Sequence, residues 1–531
     1  MGLGTLDYIA MGAYVVLLIG ISIFFMRSQV NPAEYFLGSR RFHWFPLAVG
    51  LFASLFSSVS FVAAPGEAYN YGMPLFLKSC FILLAVPLAV VIFVRTFRRM
   101  NLTTAYEYLE VRFDLRVRLL ASGLFLLLRA WYLGTVLYAT AVALHPATGL
   151  RPWLSIVLLG IATTLYTALG GLKSVVWADL LQFVIMFGGA LGALVALITW
   201  SPDGFAGIWQ HARSQGHTFG ALNDSEFYSL SPFVRVSLWA LLVSAVFIKL
   251  GAAGTDQITV QRYLSTRDPA GAVKTMVWGT VLGIPLMLVL YLCGLGLLRF
   301  YHLHPERAMP GMTGDDVFTH FISSELPPGV GGLIMAGVLS AALGTGGSCL
   351  NSLSACTITD FWKRVLRPKV SETELIRLAR WLTFIWGAVS IFLAMGVIWL
   401  FGADRRTNSL IVITQVTINF FTGVLLGVFL LGVLTRRVHA KGVLAGAVAG
   451  LVSALVVTVP YYLLDRPAEA PRLSFLWINI IGCLMTMIVG YAASWAWHAT
   501  SSESNGAVRA KHTDLRLERG LPSRSRSGGS M

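Results

Sequence analysis

The chain has little charge, few cysteines and no recognisable catalytic motif. Only 12% of its 531 residues are charged, whereas 56% are hydrophobic. A soluble protein of this length would need about twice that charged fraction to cover its surface, so the composition predicts a polytopic membrane protein. The apolar segments contain no HExxH, no GxSxG and no paired carboxylates, and we therefore predict no catalytic residue and no enzyme activity.

The cysteines give no sign of a disulfide framework or of a metal site. All five lie inside apolar segments, and none has paired or CxxC spacing, so we interpret them as small buried hydrophobic residues. They are Cys80, Cys293, Cys349, Cys356 and Cys483. A cleavable signal is not expected either, because Asp7 precedes the first apolar run and no basic segment leads it.

Thirteen apolar segments are long enough to cross a bilayer, whose core of about 30 Å needs roughly 20 helical residues. They predict an all-α polytopic protein with thirteen transmembrane helices within residues 1–500. The segments lie near 7–26, 43–66, 74–94, 117–145, 152–169, 175–199, 234–254, 273–298, 329–357, 378–402, 408–434, 442–464 and 474–498.

The positions of Lys and Arg predict the orientation, since cytoplasmic loops of membrane proteins carry an excess of both. With the N-terminus outside and the C-terminus inside, 28 of the 40 basic residues fall in cytoplasmic stretches and only 10 outside. The net charge of +15 therefore reflects topology, and no nucleic-acid partner is expected. We expect a multi-pass protein of the plasma membrane (the inner membrane in a bacterium), with a disordered cytoplasmic tail at residues 501–531.

Two segments contain residues that interrupt a helix. The second has four serines followed by Pro-Gly-Glu at 65–67, and the seventh has Gly251 and Gly254. Four uninterrupted segments separate them, so the two run in opposite directions through the membrane. This arrangement predicts an inverted repeat of five plus five helices, at about 43–199 and 234–434, with unwound backbone facing a site at the midplane.

Residues 328–364 are apolar enough to span, yet small and hydroxyl residues fill their middle. Close helix packing explains any one of these residues taken alone, because small side chains let membrane helices approach. The whole stretch is more specific. It resembles the eighth core helix of the sodium:solute symporter family, and the matching runs are Gly344-Thr345, Leu350-Asn351-Ser352 and Thr359-Asp360-Phe361-Trp362-Lys363.

Other runs carry the same resemblance in the same order, over roughly residues 7–500. They are 58–72, 103–113, 165–182, 255–262 and 423–432. The Tyr-Thr-Ala-Leu-Gly-Gly-Leu-Lys and Thr-Ala-Tyr-Glu-Tyr-Leu-Glu runs look most like the branch that carries monocarboxylates, iodide and vitamins. The family implies a LeuT-type helix bundle with one extra N-terminal and two extra C-terminal helices, which makes thirteen.

The resemblance also implies a sodium site between the first broken core helix and the eighth. Sodium is a hard cation that oxygen ligands suit, and unwound backbone offers them without a fixed charge. Carried over by motif, the ligands are the carbonyls of Ala53, Phe56 and Ala341, with Gly344 and Thr345. Gly344 departs from the pattern, because the family usually has a hydroxyl residue there. Thr345 could suffice with water or Ser348, the site could be weak, or the protein could couple to protons.

Asp179 matches the family aspartate at the cytoplasmic end of the fifth core helix. The resemblance implies that it could serve a second cation, with Ser348 as a further ligand. The alternative is an interfacial acid that pairs with Lys173 or faces solvent.

Arg129 and Lys249 both lie inside apolar segments, Arg129 twelve residues from the nearer end of 117–145 and Lys249 five residues from the end of 234–254. A cation at this depth costs several kcal/mol, so it must face a cavity or a partner. For Lys249 we prefer contact with a substrate carboxylate over a salt bridge to Glu67 or Asp256. For Arg129 the preference is reversed, although it stays a substrate candidate.

The remaining candidates for substrate binding are hydroxyl and amide side chains, each of which could instead join helices. They are Ser57, Ser58 and Ser60 at the first break, Tyr132 beside Arg129, and Gln415 and Asn419 on the tenth core helix.

Together these features predict a secondary active transporter that couples sodium to uptake of a small organic solute, preferably an organic anion such as a monocarboxylate. A sugar or amino acid substrate, or coupling to protons, is the alternative within transport. From a different class, a transporter-like core could act as a membrane sensor, although the C-terminal tail holds no kinase-like or receiver-like domain.

Overall fold

Helices make up nearly all of the protein that the structure, a computed structural model, describes. The described residues are 3–26, 40–100, 102–401, 410–463 and 472–497. Within them the β-structure is limited to one isolated bridge between Phe42 and Thr266, which confirms the all-α prediction. The predicted tail at 501–531 lies outside the described residues.

Eleven described helices are long and apolar enough to cross a membrane, and a bent pair of helices adds a twelfth span. In chain order the helices are α1 (Thr5–Met26), α2 (Trp44–Leu55), α3 (Ser58–Tyr71), α4 (Pro74–Arg99), α5 (Glu107–Arg112), α6 (Leu115–Thr148), α7 (Pro152–Trp200), α8 (Gly204–Ser214), α9 (Leu238–Thr255), α10 (Gln257–Leu264), α11 (Pro269–Leu303), α12 (Gly314–Ser324), α13 (Val330–Leu366), α14 (Glu372–Phe401), α15 (Leu410–Leu434), α16 (Ala440–Tyr462) and α17 (Phe475–Trp497). Short 3₁₀ turns lie at Gly220–Asn223, Ser225–Tyr228 and Pro305–Arg307.

The 49-residue element α7 consists of two helices joined at Gly171. Gly171 has φ 55° and ψ −160°, a backbone conformation that glycine adopts readily and other residues rarely do. The sequence predicts two segments here, at 152–169 and 175–199. Counting the two halves of α7 separately would give the predicted thirteen spans, a number that stays a prediction.

Helix α13, which contains the family-like motif, is the most enclosed of the described spans. Of its most apolar 18 residues, 94% are buried. A Cβ at Gly346 would lie 2.5 Å from the Thr163 side chain, and a Cβ at Gly347 would collide with the Tyr166 hydroxyl. These two glycines therefore let α7 approach α13 closely, as small residues do in membrane bundles.

The N-terminal helix α1 is tied to α13 by a carboxylate. Asp7 Oδ1 accepts hydrogen bonds from the backbone N–H groups of Gly329, at 2.7 Å, and of Gly332, at 2.6 Å. These groups belong to the first turn of α13, where backbone donors have no partner within the helix and a negative charge is favourable. Asp7, a buried acid near the start of α1, thus caps the neighbouring helix α13.

The first predicted break exists, but not at its proline. Helices α2 and α3 meet at 65° across Phe56 and Ser57. Pro65, which the sequence indicated as part of the break, lies inside the continuous helix α3, so that part of the prediction is wrong. The adjacent Gly66 has a packing role instead, since a Cβ there would lie 2.1 Å from the carbonyl oxygen of Gly314.

The second break also lies beyond the predicted glycines. Helix α9 continues through Gly251 and Gly254 to Thr255, and the chain is extended only at Asp256 (φ −91°, ψ 110°) before α10 begins. A Cβ at Gly251 would meet Thr422 on α15, and one at Gly254 would meet the ring of Phe93 on α4. Glycine at both positions therefore permits close helix packing and does not interrupt the helix.

Candidate sodium and substrate site

Thr345 on α13 reaches the break between α2 and α3. Phe56 is extended there (φ −91°, ψ 101°), so nearby carbonyl groups lose the partners that a continuous helix would give them. The Thr345 hydroxyl donates to the Phe56 carbonyl over 3.3 Å, and the Ala53 carbonyl lies 3.6 Å from where a Cβ of Gly344 would be. Ala341 lies buried one helical turn before Thr345. The structure thus gathers residues of both helices at the predicted sodium position.

A side chain that the sequence did not single out also lies at this position. Gln182 on α7 is fully buried, and its Oε1 is 2.5 Å from the Cβ position of Gly344. Its Nε2 donates to the Tyr14 hydroxyl on α1 over 3.3 Å. Its spacing in the sequence could have indicated this position. Gln182 follows Asp179 by three residues, so the two side chains lie on the same face of the helix.

The two residues predicted for a second cation, Asp179 and Ser348, lie beside a guanidinium group. Arg262 Nη2 donates to Asp179 Oδ2 at 2.7 Å and to the hydroxyls of Ser348 and Ser54 at 2.9 Å each. All four side chains are buried. The sequence offered Lys173 as a partner for Asp179, whereas the described partner is Arg262. In this arrangement the Arg262 guanidinium supplies the positive charge at the position predicted for the second cation.

Arg129 pairs with Asp256, the residue at the second break. Arg129 Nη2 donates to Asp256 Oδ2, and both side chains are buried between α6 and the junction of α9 with α10. Asp256 also caps α10, because its Oδ1 accepts from the N–H of Ile258 at 3.1 Å. The Arg129 guanidinium lies 5.3 Å from the ring centroid of Tyr132. This geometry is the salt bridge that the sequence reasoning preferred for Arg129.

Lys249 and Lys78 are bound by neutral groups. Lys249 Nζ on α9 donates to the Thr280 hydroxyl on α11, and its side chain is buried. Lys78 Nζ on α4 donates to Gln415 Oε1 on α15 over 3.0 Å. Within the described part of the chain neither lysine has a carboxylate within ion-pair distance. The count of basic residues places Lys78 among the 10 outside, since it lies near the start of the segment 74–94.

The other predicted substrate residues mostly bind within the bundle. Ser57 caps α3, its hydroxyl accepting from the N–H of Ser60 at 3.4 Å. Ser58 shares a hydrogen bond of 2.6 Å with the hydroxyl of Thr140. Asn419 Nδ2 donates to the Phe475 carbonyl at 3.0 Å. These contacts give Ser57, Ser58 and Asn419 structural partners, and their substrate role stays a prediction.

Similarity to known proteins covers most of the chain. The sodium:solute symporter family model matches residues 35–450. The sodium/sialic acid symporter of Aliivibrio fischeri is 29% identical over 92% of this chain and 92% of its own length. The sodium-dependent multivitamin transporter of Oryctolagus cuniculus is 32% identical over 85% of this chain and 70% of its own. Sodium-coupled monocarboxylate transporter 1 of Homo sapiens is 30% identical, with 91% and 78% covered.

Solved structures show the same architecture. A Na⁺-coupled sialic acid symporter in a substrate-bound outward-open state superposes with a TM-score of 0.82 at 24% identity, over 92% of this chain and 98% of that one. A closed nucleobase-cation-symport-1 family transporter gives a TM-score of 0.52 at 14% identity, with 89% and 96% covered. At these identities the likeness shows the fold alone.

The helix bundle, its two broken helices and the oxygen-lined junction between α2, α3 and α13 define a secondary active transporter of the LeuT type. The chain belongs to the sodium:solute symporter family. Its relatives are transporters, and sodium is the coupling ion that their names print.

Proposed function

We propose that this protein carries a small organic anion across the membrane together with sodium. The family gives the coupling ion and the transport class, and the relatives are named for sialic acid, vitamins and monocarboxylates. The single observation that favours an anion in this chain is that its buried arginines have carboxylate partners, whereas Lys249 and Lys78 have only neutral ones. No residue of this chain is assigned a catalytic role.

Each buried arginine in the described residues has a carboxylate partner. Arg118 pairs with Asp360, Arg129 with Asp256, and Arg262 with Asp179. Lys249 and Lys78 have a hydroxyl and an amide oxygen instead. A buried charge without a counter-charge is costly, and at membrane depth it marks a functional site more often than a structural one. A substrate carboxylate would supply the missing negative charge.

Sodium would favour substrate binding by holding the two sides of the junction together. The proposed ligands come from the end of α2, the residue after it and α13, so a bound ion draws these helices into one arrangement. The ion and the anion drive the transport cycle only through their different affinities for the outward-open and inward-open states. We place the N-terminus outside, because that orientation puts most Lys and Arg residues in the cytoplasm.

Uptake into proteoliposomes tests the proposal. Purified protein is assayed with labelled monocarboxylates, sialic acid, sugars and amino acids, under an imposed sodium gradient and, separately, a proton gradient. Sodium-driven uptake of an acid is the expected result. Uptake of a neutral sugar or amino acid would overturn the anion assignment, and uptake driven by protons alone would overturn sodium coupling. Specific binding without any flux would favour a sensor.

Replacing Lys249 with methionine should weaken uptake of the organic anion. The change keeps the length of the side chain and removes the ammonium group. Because a hydrogen bond to a charged group contributes about 1.5–3 kcal/mol, we expect the apparent affinity for the anion to fall about 10- to 100-fold. Initial uptake rates across a range of substrate concentrations measure it. Lys274→Met on the exposed face of α11 is the matched control, and equal affinities in both variants would contradict the role of Lys249.

Sodium activation of uptake should show a Hill coefficient of about 1, since that coefficient cannot exceed the number of coupled sites. The reason is that the Arg262 guanidinium binds Asp179 and Ser348, the two residues predicted for a second cation. Its positive charge would repel a second sodium ion there. Initial rates at rising sodium concentration and fixed anion measure the coefficient. A value well above this would show that Arg262 moves aside for a second ion.

A further inference from the structure

The predicted sodium site lacks one side-chain oxygen on α13, at Gly344, and the Gln182 side chain of α7 places an oxygen in that space. Gly344 has no side chain to offer where the family pattern has a hydroxyl. An ideal Cβ built on Gly344 would lie 2.5 Å from Gln182 Oε1 and 3.1 Å from the carboxamide carbon. The space that a serine or threonine would occupy is therefore filled by the end of the Gln182 side chain.

The Gln182 carboxamide oxygen has no hydrogen-bond donor among the described residues, although it is completely buried. Buried polar oxygens nearly always have a partner, and each exception needs an explanation. The other end of the amide is held, because Nε2 donates to the Tyr14 hydroxyl. This bond turns the oxygen toward Gly344 and away from Tyr14.

Backbone oxygens of the junction lie around the same point. The Ala53 carbonyl oxygen is 3.6 Å from the Gly344 Cβ position, and Gln182 Oε1 is 2.5 Å from the same position. Thr345, the next residue along α13, contacts the Phe56 carbonyl with its hydroxyl. An oxygen without a donor, beside carbonyls at a helix break, is suited to a cation and poorly suited to another acceptor.

We propose that Gln182 Oε1 is the sodium ligand that replaces the hydroxyl missing at Gly344. The inference rests on the proposed function, because it assumes that sodium is the ion carried. Amide oxygens are neutral, hard ligands of the kind that such cations accept. One ligand then comes from α7, so the ion joins α7 to α13 and α2, and Tyr14 of α1 becomes a positioning residue for it.

Direct binding of radioactive sodium to the purified full-length protein tests the assignment without a transport assay. Gln182→Met keeps the length of the side chain and removes its oxygen, and we expect sodium to bind about 10- to 100-fold more weakly. Gln182→Glu keeps an oxygen at the site and should bind sodium at least as tightly as the parent. If the amide instead served as a hydrogen-bond donor to the carbonyls, the Glu variant would lose binding, which would overturn the proposal.

A rescue variant separates ligation from packing. In Gln182→Ala the site has room for a side chain at position 344, and adding Gly344→Ser returns a hydroxyl to α13. We expect the double variant to recover most of the sodium affinity that Gln182→Ala loses. A double variant that binds no better than Gln182→Ala would overturn the assignment. Tyr14→Phe, which removes only the anchor of Nε2, should weaken binding less than Gln182→Met does, and an equal loss would favour a structural role.

The wild-type protein distinguishes this inference from the proposed function. If the wild-type protein binds no sodium at all, the proposed sodium coupling is overturned, and the Gln182 assignment is overturned with it. If it binds sodium and Gln182→Met binds equally well, sodium coupling stands and the Gln182 assignment fails. Elution of each variant as a single symmetric peak from a sizing column shows that the comparison is between folded proteins.

Discussion

Asp256→Asn should destabilise the folded protein by about 3–5 kcal/mol, since breaking a buried ion pair from one side leaves the other charge without its counter-charge. In this variant the charge without a counter-charge is the Arg129 guanidinium, which is buried beside the junction of α9 and α10. Asparagine keeps an oxygen that can accept from the Ile258 N–H, so the cap of α10 is retained and only the charge is removed. The measurement is thermal unfolding of the detergent-solubilised protein, followed by the loss of its monodisperse elution peak.

The double variant Arg129→Met/Asp256→Asn is the control. It removes both charges, and we expect it to recover most of the stability lost in the single variant, because neutral replacements of a buried pair are often tolerated. Uptake by the double variant then distinguishes a structural role of Arg129 from a role in substrate binding. Full uptake in the folded double variant supports a structural pair, whereas a folded double variant without uptake would show that Arg129 contacts the substrate.

Thr345→Val should lower the apparent affinity for sodium about 10- to 100-fold, the loss expected when one hydrogen-bonding group around a charge is removed. Valine has nearly the shape of threonine, so the change removes the hydroxyl that contacts the Phe56 carbonyl and leaves the packing of α13 in place. Sodium dependence of uptake at saturating anion, together with direct sodium binding, measures the effect.

Thr345→Ser is the matched control, since it keeps the hydroxyl and removes a methyl group. Near-normal sodium affinity in the serine variant with a large loss in the valine variant would identify the oxygen as the important atom. Equal losses in both would point to packing around the methyl group and would contradict ligation by Thr345. An unaffected valine variant would remove Thr345 from the sodium site altogether.

Much of the architecture could be predicted because it depends on local features of the sequence. Long apolar runs separated by short polar stretches predict membrane helices, and nearly all of these runs became spans. The motif around Gly344 and Thr345 indicated that α13 faces the first break, and the structure places it there. The break lies at Phe56 and Ser57, beside the serines, and α3 continues through Pro65 although proline lacks a backbone donor.

The partners of the buried charges could not be predicted in the same way. Asp179 and Arg262 are 83 residues apart in the sequence, and Arg129 and Asp256 are 127 apart. Helical periodicity says which residues share a face of one helix, but it does not say which helix that face meets. Lys249 binds Thr280 on α11 rather than Glu67 or Asp256, and this partner depends on where the bundle places α11 relative to α9.

By itself, the sequence determined that this chain is a helical membrane protein with two interrupted helices and a sodium:solute symporter motif, because composition, hydrophobic length and motif are properties of neighbouring residues. Only the tertiary structure decided where the second interrupted helix, α9, ends and which acids neutralise which arginines. It also decided that the Gln182 oxygen fills the space beside Gly344. These features depend on contacts between helices distant in sequence, and such contacts form only when the whole bundle packs.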